Sequence, residues 1–201
     1  MMPKEKKSVR VFLITPEFKA SGGREQLSAL LMNGLSLVTD DQLEIYRLSR
    51  PDKSISVVER IIGRIDGITS SVEKNLVCRL SDVSPDCVFI DGLHTYSQVK
   101  RDIENSLKFL NDGGIILLHD CLPNNYYEQA TPRCQWTWNG DVWKAIIECR
   151  TNKNLDVYTC YADYGVGVIL NRQNKNILNY PKKDYSKLKF EEYHRDTFNL
   201  M

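Results

Sequence analysis

The sequence predicts an α/β fold: a three-layer sandwich whose mostly parallel sheet ends in an antiparallel hairpin. Three observations predict it. Short continuous apolar runs at 11–14 (VFLI), 87–90 (CVFI) and 115–118 (IILL) are separated by longer stretches of helical apolar spacing. Buried parallel strands joined by crossover helices give this pattern. The last two runs each end on ionisable residues, Asp91 after one and His119-Asp120 after the other. Finally, residues 155–161 and 166–170 are strand-like and flank Asp163-Tyr164-Gly165, as in a closing hairpin.

Taken in order, residues 1–9 are basic and expected to fray. The run 11–14 is the first strand. A loop, Thr15 to Gly23, then leads to a helix with Leu27, Leu30, Leu31, Leu35 and Val38 on one face. A strand, a Gly pair and a helix start can cradle an anion, so Ser21, Gly22 and Gly23 are cofactor-binding candidates. The Gly pair can equally serve only to turn the chain. Residues 43–48 alternate and predict the second strand. Its end carries Arg47, Ser49 and Arg50 where a ribose-binding pocket wants an acid. Residues 55–65 predict a helix, and Ser70 or Ser71 can cap another through Leu80.

Residues 85–122 form a strand–helix–strand unit. Val99, Ile103, Leu107 and Leu110 mark the helix, and Asp112-Gly113-Gly114 stops it. Ligands of open parallel sheets bind beyond the carboxyl ends of the strands. If the two strands are neighbours, roughly 5 Å apart, then Asp91, His94, His119 and Asp120 share one mouth. Such a set can bind a divalent cation or act as acid and base. Strand ends are commonly polar, so simple loop capping stands beside this reading. The following stretch, CLPNNYYEQATPRCQWTWNG, is irregular and long enough for a functional loop, although Trp136 or Trp138 can also pack on the core edge. Asp141 suits the first turn of a helix whose core face is Val142, Trp143, Ile146 and Ile147. The tail from Asn171 carries no evident chemistry, and His194 reads as solvated.

The 201 residues suit one domain, 1–171, with a C-terminal tail, 172–201. A net charge of +1 gives no electrostatic case for nucleic acid or an anionic membrane. No apolar run is long enough to span a bilayer, and the apolar part of the N-terminus is too short for a signal peptide. A cytoplasmic location is expected. The six cysteines form no CxxC pair and read as buried free thiols.

Residues 88–146 resemble class I S-adenosylmethionine-dependent methyltransferases, through FIDGLHTYSQVKRD (89–102), GGIILLHDC (113–121) and GDVWKA (140–145). The resemblance implies a Rossmann-like fold. It also implies S-adenosylmethionine as cofactor, with Asp91 among its contacts, and a divalent cation such as Mg held by Asp91, His119 and Asp120. His94 would be a base or substrate contact. The implied reaction is O-methylation of a small hydroxylated acceptor such as a sugar, which suits polysaccharide biosynthesis, and a homo-oligomer is compatible with it. The acidic ExGxxxG motif that such enzymes carry after the first strand is missing. Residues 10–38 instead resemble the start of a family 4 GT-B glycosyltransferase, and that resemblance can extend to Gly92. Two alternatives follow: a glycosyltransferase-derived chimera or fragment, and a catalytically silent module that binds a nucleotide or a partner.

Overall fold

The computed structural model describes residues 8–17, 42–51 and 80–192. The helices expected between 23 and 38 and between 55 and 79, the Ser21-Gly22-Gly23 loop and His194 lie outside these residues. Six strands form one sheet: β1 (Ser8–Glu17), β2 (Gln42–Pro51), β3 (Cys87–Ile90), β4 (Ile115–Leu118), β5 (Asp156–Cys160) and β6 (Val166–Leu170). Their order across the sheet is β2-β1-β3-β4-β6-β5. The first four run parallel, and β6 pairs antiparallel with both β4 and β5. This is the Rossmann-like sheet with a terminal hairpin that the sequence predicts. β1 is longer than its apolar run, and pairing with β2 from Ser8 onward replaces the expected fraying at Ser8 and Val9.

Alternation along the short strands decides which layer each residue joins. Phe12, Ile14, Val88, Ile90, Ile116 and Leu118 belong to the larger core cluster. Val11, Leu13, Cys87 and Phe89 are buried in a second cluster. The second face is thus buried over β1 and β3, while Ile115 and Leu117 of β4 are only partly covered there.

Among the described residues, α1 (Tyr96–Phe109), the crossover from β3 to β4, and α3 (Trp143–Thr151) pack on the larger core, and the helical residues 80–83 add Leu80 and Val83. The expected core face of α3 is present, with Val142, Trp143, Ile146 and Ile147 all buried. The irregular stretch after Asp120 contains one short helix, α2 (Tyr126–Gln129), capped by the Asn125 side chain. That cap and a four-residue length leave no apolar periodicity for a sequence reading to find. Tyr185 and Leu188 from the tail are buried against the same core.

Among the described cysteines, Cys87, Cys121 and Cys149 are buried, while Cys134 and Cys160 are exposed, against the expectation of burial throughout. Desolvation raises the Cys87 and Cys149 thiols to about 12, with nearby Asp86 and Glu148 adding to the shift. A thiol reagent at pH 8 should therefore label Cys134 and Cys160 rapidly in the native protein. Peptide mapping should find Cys87, Cys121 and Cys149 labelled only after denaturation.

Candidate active site

The β3 and β4 ladders deliver the site. The Asp91 N–H donates to the Ile14 carbonyl at 2.8 Å, and the His119 N–H to the Ile90 carbonyl at 3.0 Å. Each bond continues a parallel ladder one step past its strand, so Asp91 and His119 leave the sheet at the same edge. Asp120 follows with φ +63°. That left-handed conformation costs a non-glycine residue about 1–2 kcal/mol, and it accompanies an inward turn of the carboxylate.

The four residues expected to share a mouth do so. The His94 Nε2 lies 3.1 Å from Asp91 Oδ1, and its Nδ1 lies 2.9 Å from Asp120 Oδ2 and 3.1 Å from the Trp138 carbonyl oxygen. The His119 Nδ1 is 3.4 Å from both Asp91 Oδ1 and Asp120 Oδ1. No ring N–H is aimed at either oxygen, and this nitrogen has no hydrogen-bond partner. These are charge contacts rather than hydrogen bonds. Asp91, His94 and Asp120 are buried, and each offers a ligand atom within 4.8 Å of the others. His119 stands beside this trio through its 3.4 Å contacts. Two buried carboxylates and an imidazole suit a divalent cation that prefers oxygen ligands.

The charge states follow from this packing. Burial opposes ionisation of all four groups, but their mutual proximity outweighs it. Asp120 and Asp91 push the His94 imidazole up to about 9 and His119 up to about 11. The two imidazoles in turn hold Asp91 and Asp120 below the usual carboxylate range. Without a cation, two imidazolium charges balance the two carboxylates. A divalent cation can supply the same charge and release the protons.

Sequence reasoning missed the residues that hold this cluster in place. Asn139, almost fully buried, donates its Nδ2 to Asp120 Oδ1 at 2.7 Å, and its own Oδ1 has no partner. The Trp138 ring stacks on His94 with centroids 5.4 Å apart. The backbone N–H groups of Asn139 and Gly140 both donate to the Glu128 carbonyl, which ties this loop to α2. Asp141 does not cap the helix that follows it, although its Oδ2 accepts from Lys144 Nζ of that helix at 3.1 Å. Its Oδ1 accepts from the Tyr96 N–H at 2.6 Å, satisfying an otherwise orphaned donor at the start of α1. Asp163, in the β5–β6 turn, lies 3.2 Å from His119 Nε2. The only local cue for Asn139 is its place before Gly140-Asp141.

Gly140 has φ +63°, and a Cβ there would overlap the His94 carbonyl oxygen. Gly140→Ala is therefore expected to cost at least about 2–3 kcal/mol. A denaturant melt should show the loss, together with weakened stacking of Trp138 on His94 in tryptophan fluorescence.

Residues 26–121, just under half of the chain, match the family model described as Methyltransferase domain. The match overlaps the stretch up to Gly92 that also resembles a glycosyltransferase. None of the comparisons supports the glycosyltransferase resemblance. No curated protein matches. Among solved structures, the chain is similar to the MycE methyltransferase from the mycinamycin biosynthetic pathway in complex with Mg and SAH. The identity is 14% and the TM-score 0.48, over 89% of this chain and 49% of that one. It is also similar to MycE in complex with Mg, SAH and mycinamycin VI, at 12% identity and a TM-score of 0.46, over 89% and 48%. The chain thus spans about half the length of the structures it matches. Among the described residues, no helix is long and apolar enough to cross a membrane. What the family match supports is a methyltransferase domain over residues 26–121.

Proposed function

We propose that this chain carries out, in the cytoplasm, a cation-assisted O-methylation of a small hydroxylated metabolite such as a sugar. The observation that carries the proposal is the convergence of Asp91, His94, His119 and Asp120 at the carboxyl edge of adjacent parallel strands. S-adenosylmethionine would supply the methyl group as a sulfonium, and a divalent cation would fix the acceptor hydroxyl and lower its pKa. Asp91 and Asp120 are the oxygen ligands for that cation, with an imidazole nitrogen from His94 or His119 completing the set. Ser21, Gly22 and Gly23 remain the candidates for the cofactor loop.

The oxygens facing His94 can only accept, the Trp138 carbonyl and Asp120 Oδ2 at Nδ1 and Asp91 Oδ1 at Nε2, so the charged imidazole donates from both nitrogens. With Asp91 engaged on the cation, Nε2 would be the nitrogen that gives up its proton, since Nδ1 keeps the Trp138 carbonyl as acceptor. When neutral, His94 can take the acceptor proton at Nε2, while the acceptor oxygen forms its bond to the methyl carbon and the sulfur leaves with its electron pair. Trp138 stacked on the ring limits access of water to that nitrogen.

Calorimetry on the full chain tests the reading, with S-adenosylmethionine and UDP-sugars titrated separately, with and without Mg²⁺. Micromolar binding of the methyl donor is expected. Binding of a UDP-sugar alone, or of neither ligand, would overturn the proposal.

A further inference from the structure

Asp163 belongs to a turn that the sequence marks only as a hairpin connection, yet the turn reaches the site. Ala162 to Gly165 close it through a 2.7 Å bond from the Gly165 N–H to the Ala162 carbonyl. Both central residues are left-handed, Asp163 at φ +42° and Tyr164 at φ +58°. This resembles the primed turn that matches strand twist, where Asn-Gly is the usual pair. A tyrosine there costs about 1 kcal/mol, so the conformation is held by its surroundings. The surroundings are the chain just beyond Asp120: the Cys121 N–H donates to the Gly165 carbonyl at 3.0 Å, and the Leu122 N–H to the Tyr164 carbonyl at 2.7 Å. The turn is thereby stitched to the segment that carries His119 and Asp120.

We propose that Asp163 is a positioning residue that holds His119 by Nε2 and so presents Nδ1, beside Asp91 and Asp120, as a nitrogen ligand for a divalent cation. The inference rests on the cation-assisted reading above. Two observations carry it. Asp163 Oδ2 lies 3.2 Å from Nε2, and the opposite ring nitrogen is buried without a hydrogen-bond partner, 3.4 Å from one oxygen of each carboxylate. A neutral imidazole that donates Nε2–H to a carboxylate leaves its Nδ1 lone pair directed at the cation, the usual arrangement of a metal-bound histidine. The carboxylate fixes both the tautomer and the ring orientation.

The test uses Mn²⁺ as probe on the full chain without cofactor, with free Mn²⁺ read by electron paramagnetic resonance. Asp163→Ala should weaken Mn²⁺ binding 10–100-fold. Asp163→Asn should stay within a few-fold of wild type, because its amide oxygen still accepts Nε2–H. Equal losses in both variants would mean that only distant charge matters and would overturn the inference. Unchanged binding in Asp163→Ala would overturn the inference alone. Failure of the wild-type chain to bind Mn²⁺ would remove the cation-assisted reading, and the positioning role with it.

Discussion

Asp91→Asn should lower methyl transfer by roughly 100-fold or more while leaving a folded protein. The amide is nearly isosteric, and its oxygen can still face His94 Nε2 and His119 Nδ1, which lie 3.1 and 3.4 Å from the native Oδ1. What disappears is one of the two negative charges that a cation or an imidazolium needs. Breaking a buried ion pair usually costs about 3–5 kcal/mol, because the stranded charge has no escape. Here it has one. An imidazole that loses its partner can release its proton near its ordinary value of about 6.5, so the cost at pH 7 should fall to about 1–2 kcal/mol. For a chain of this size that is a drop of roughly 2–8 °C in melting temperature. Melting curves should therefore move little while transfer from a radiolabelled methyl donor is nearly lost. A variant that unfolds but retains its specific activity would make Asp91 a structural residue and remove it from the chemistry.

The sheet edge was legible in the sequence because two apolar runs stop abruptly at charged residues. Parallel strands of equal length then put Asp91 and His119 side by side, since Ile90 pairs with Leu118. His94 was legible through its spacing from Asp91 within one tight turn. The scaffold around them was not. Asn139 reaches Asp120 from nineteen positions away, and Asp163 reaches His119 from forty-four. Neither separation has a periodicity or a turn rule that announces it. Asp141 shows the limit from the other side. Local logic assigns it to the helix it precedes, yet only Oδ2 stays there, paired with Lys144, while Oδ1 accepts the Tyr96 N–H at the start of the neighbouring helix. Sequence periodicity identifies which edge of a sheet carries chemistry. The loops that lock the chemistry in place are set by packing between distant segments.

The second large effect is the response of the cation-free protein to pH. His94 and His119 are held above their ordinary value, at about 9 and about 11, after the neighbouring carboxylates overcome the cost of burial. Groups raised on folding lend stability that is whole below about 6.5 and is lost as pH climbs through the folded values. Asp91 and Asp120 are held low for the reciprocal reason. Their contribution is whole above about 4 and is lost as pH falls further. In chelator, stability should therefore be greatest between about pH 4 and 6.5 and decline by several kcal/mol toward pH 10. The decline follows from the two carboxylates losing their counter-charge as the imidazoles deprotonate. Mn²⁺ should offset it most at high pH, where fewer protons compete for the same atoms. His119→Gln should flatten the alkaline slope, because only His94 then titrates in the cluster. Melting temperatures across pH 5–10, in chelator and in Mn²⁺, measure both effects. A flat profile in chelator between pH 6.5 and 9 would mean that the imidazoles are not charged in the folded state, and the balance of two carboxylates against two imidazolium ions would have to be abandoned.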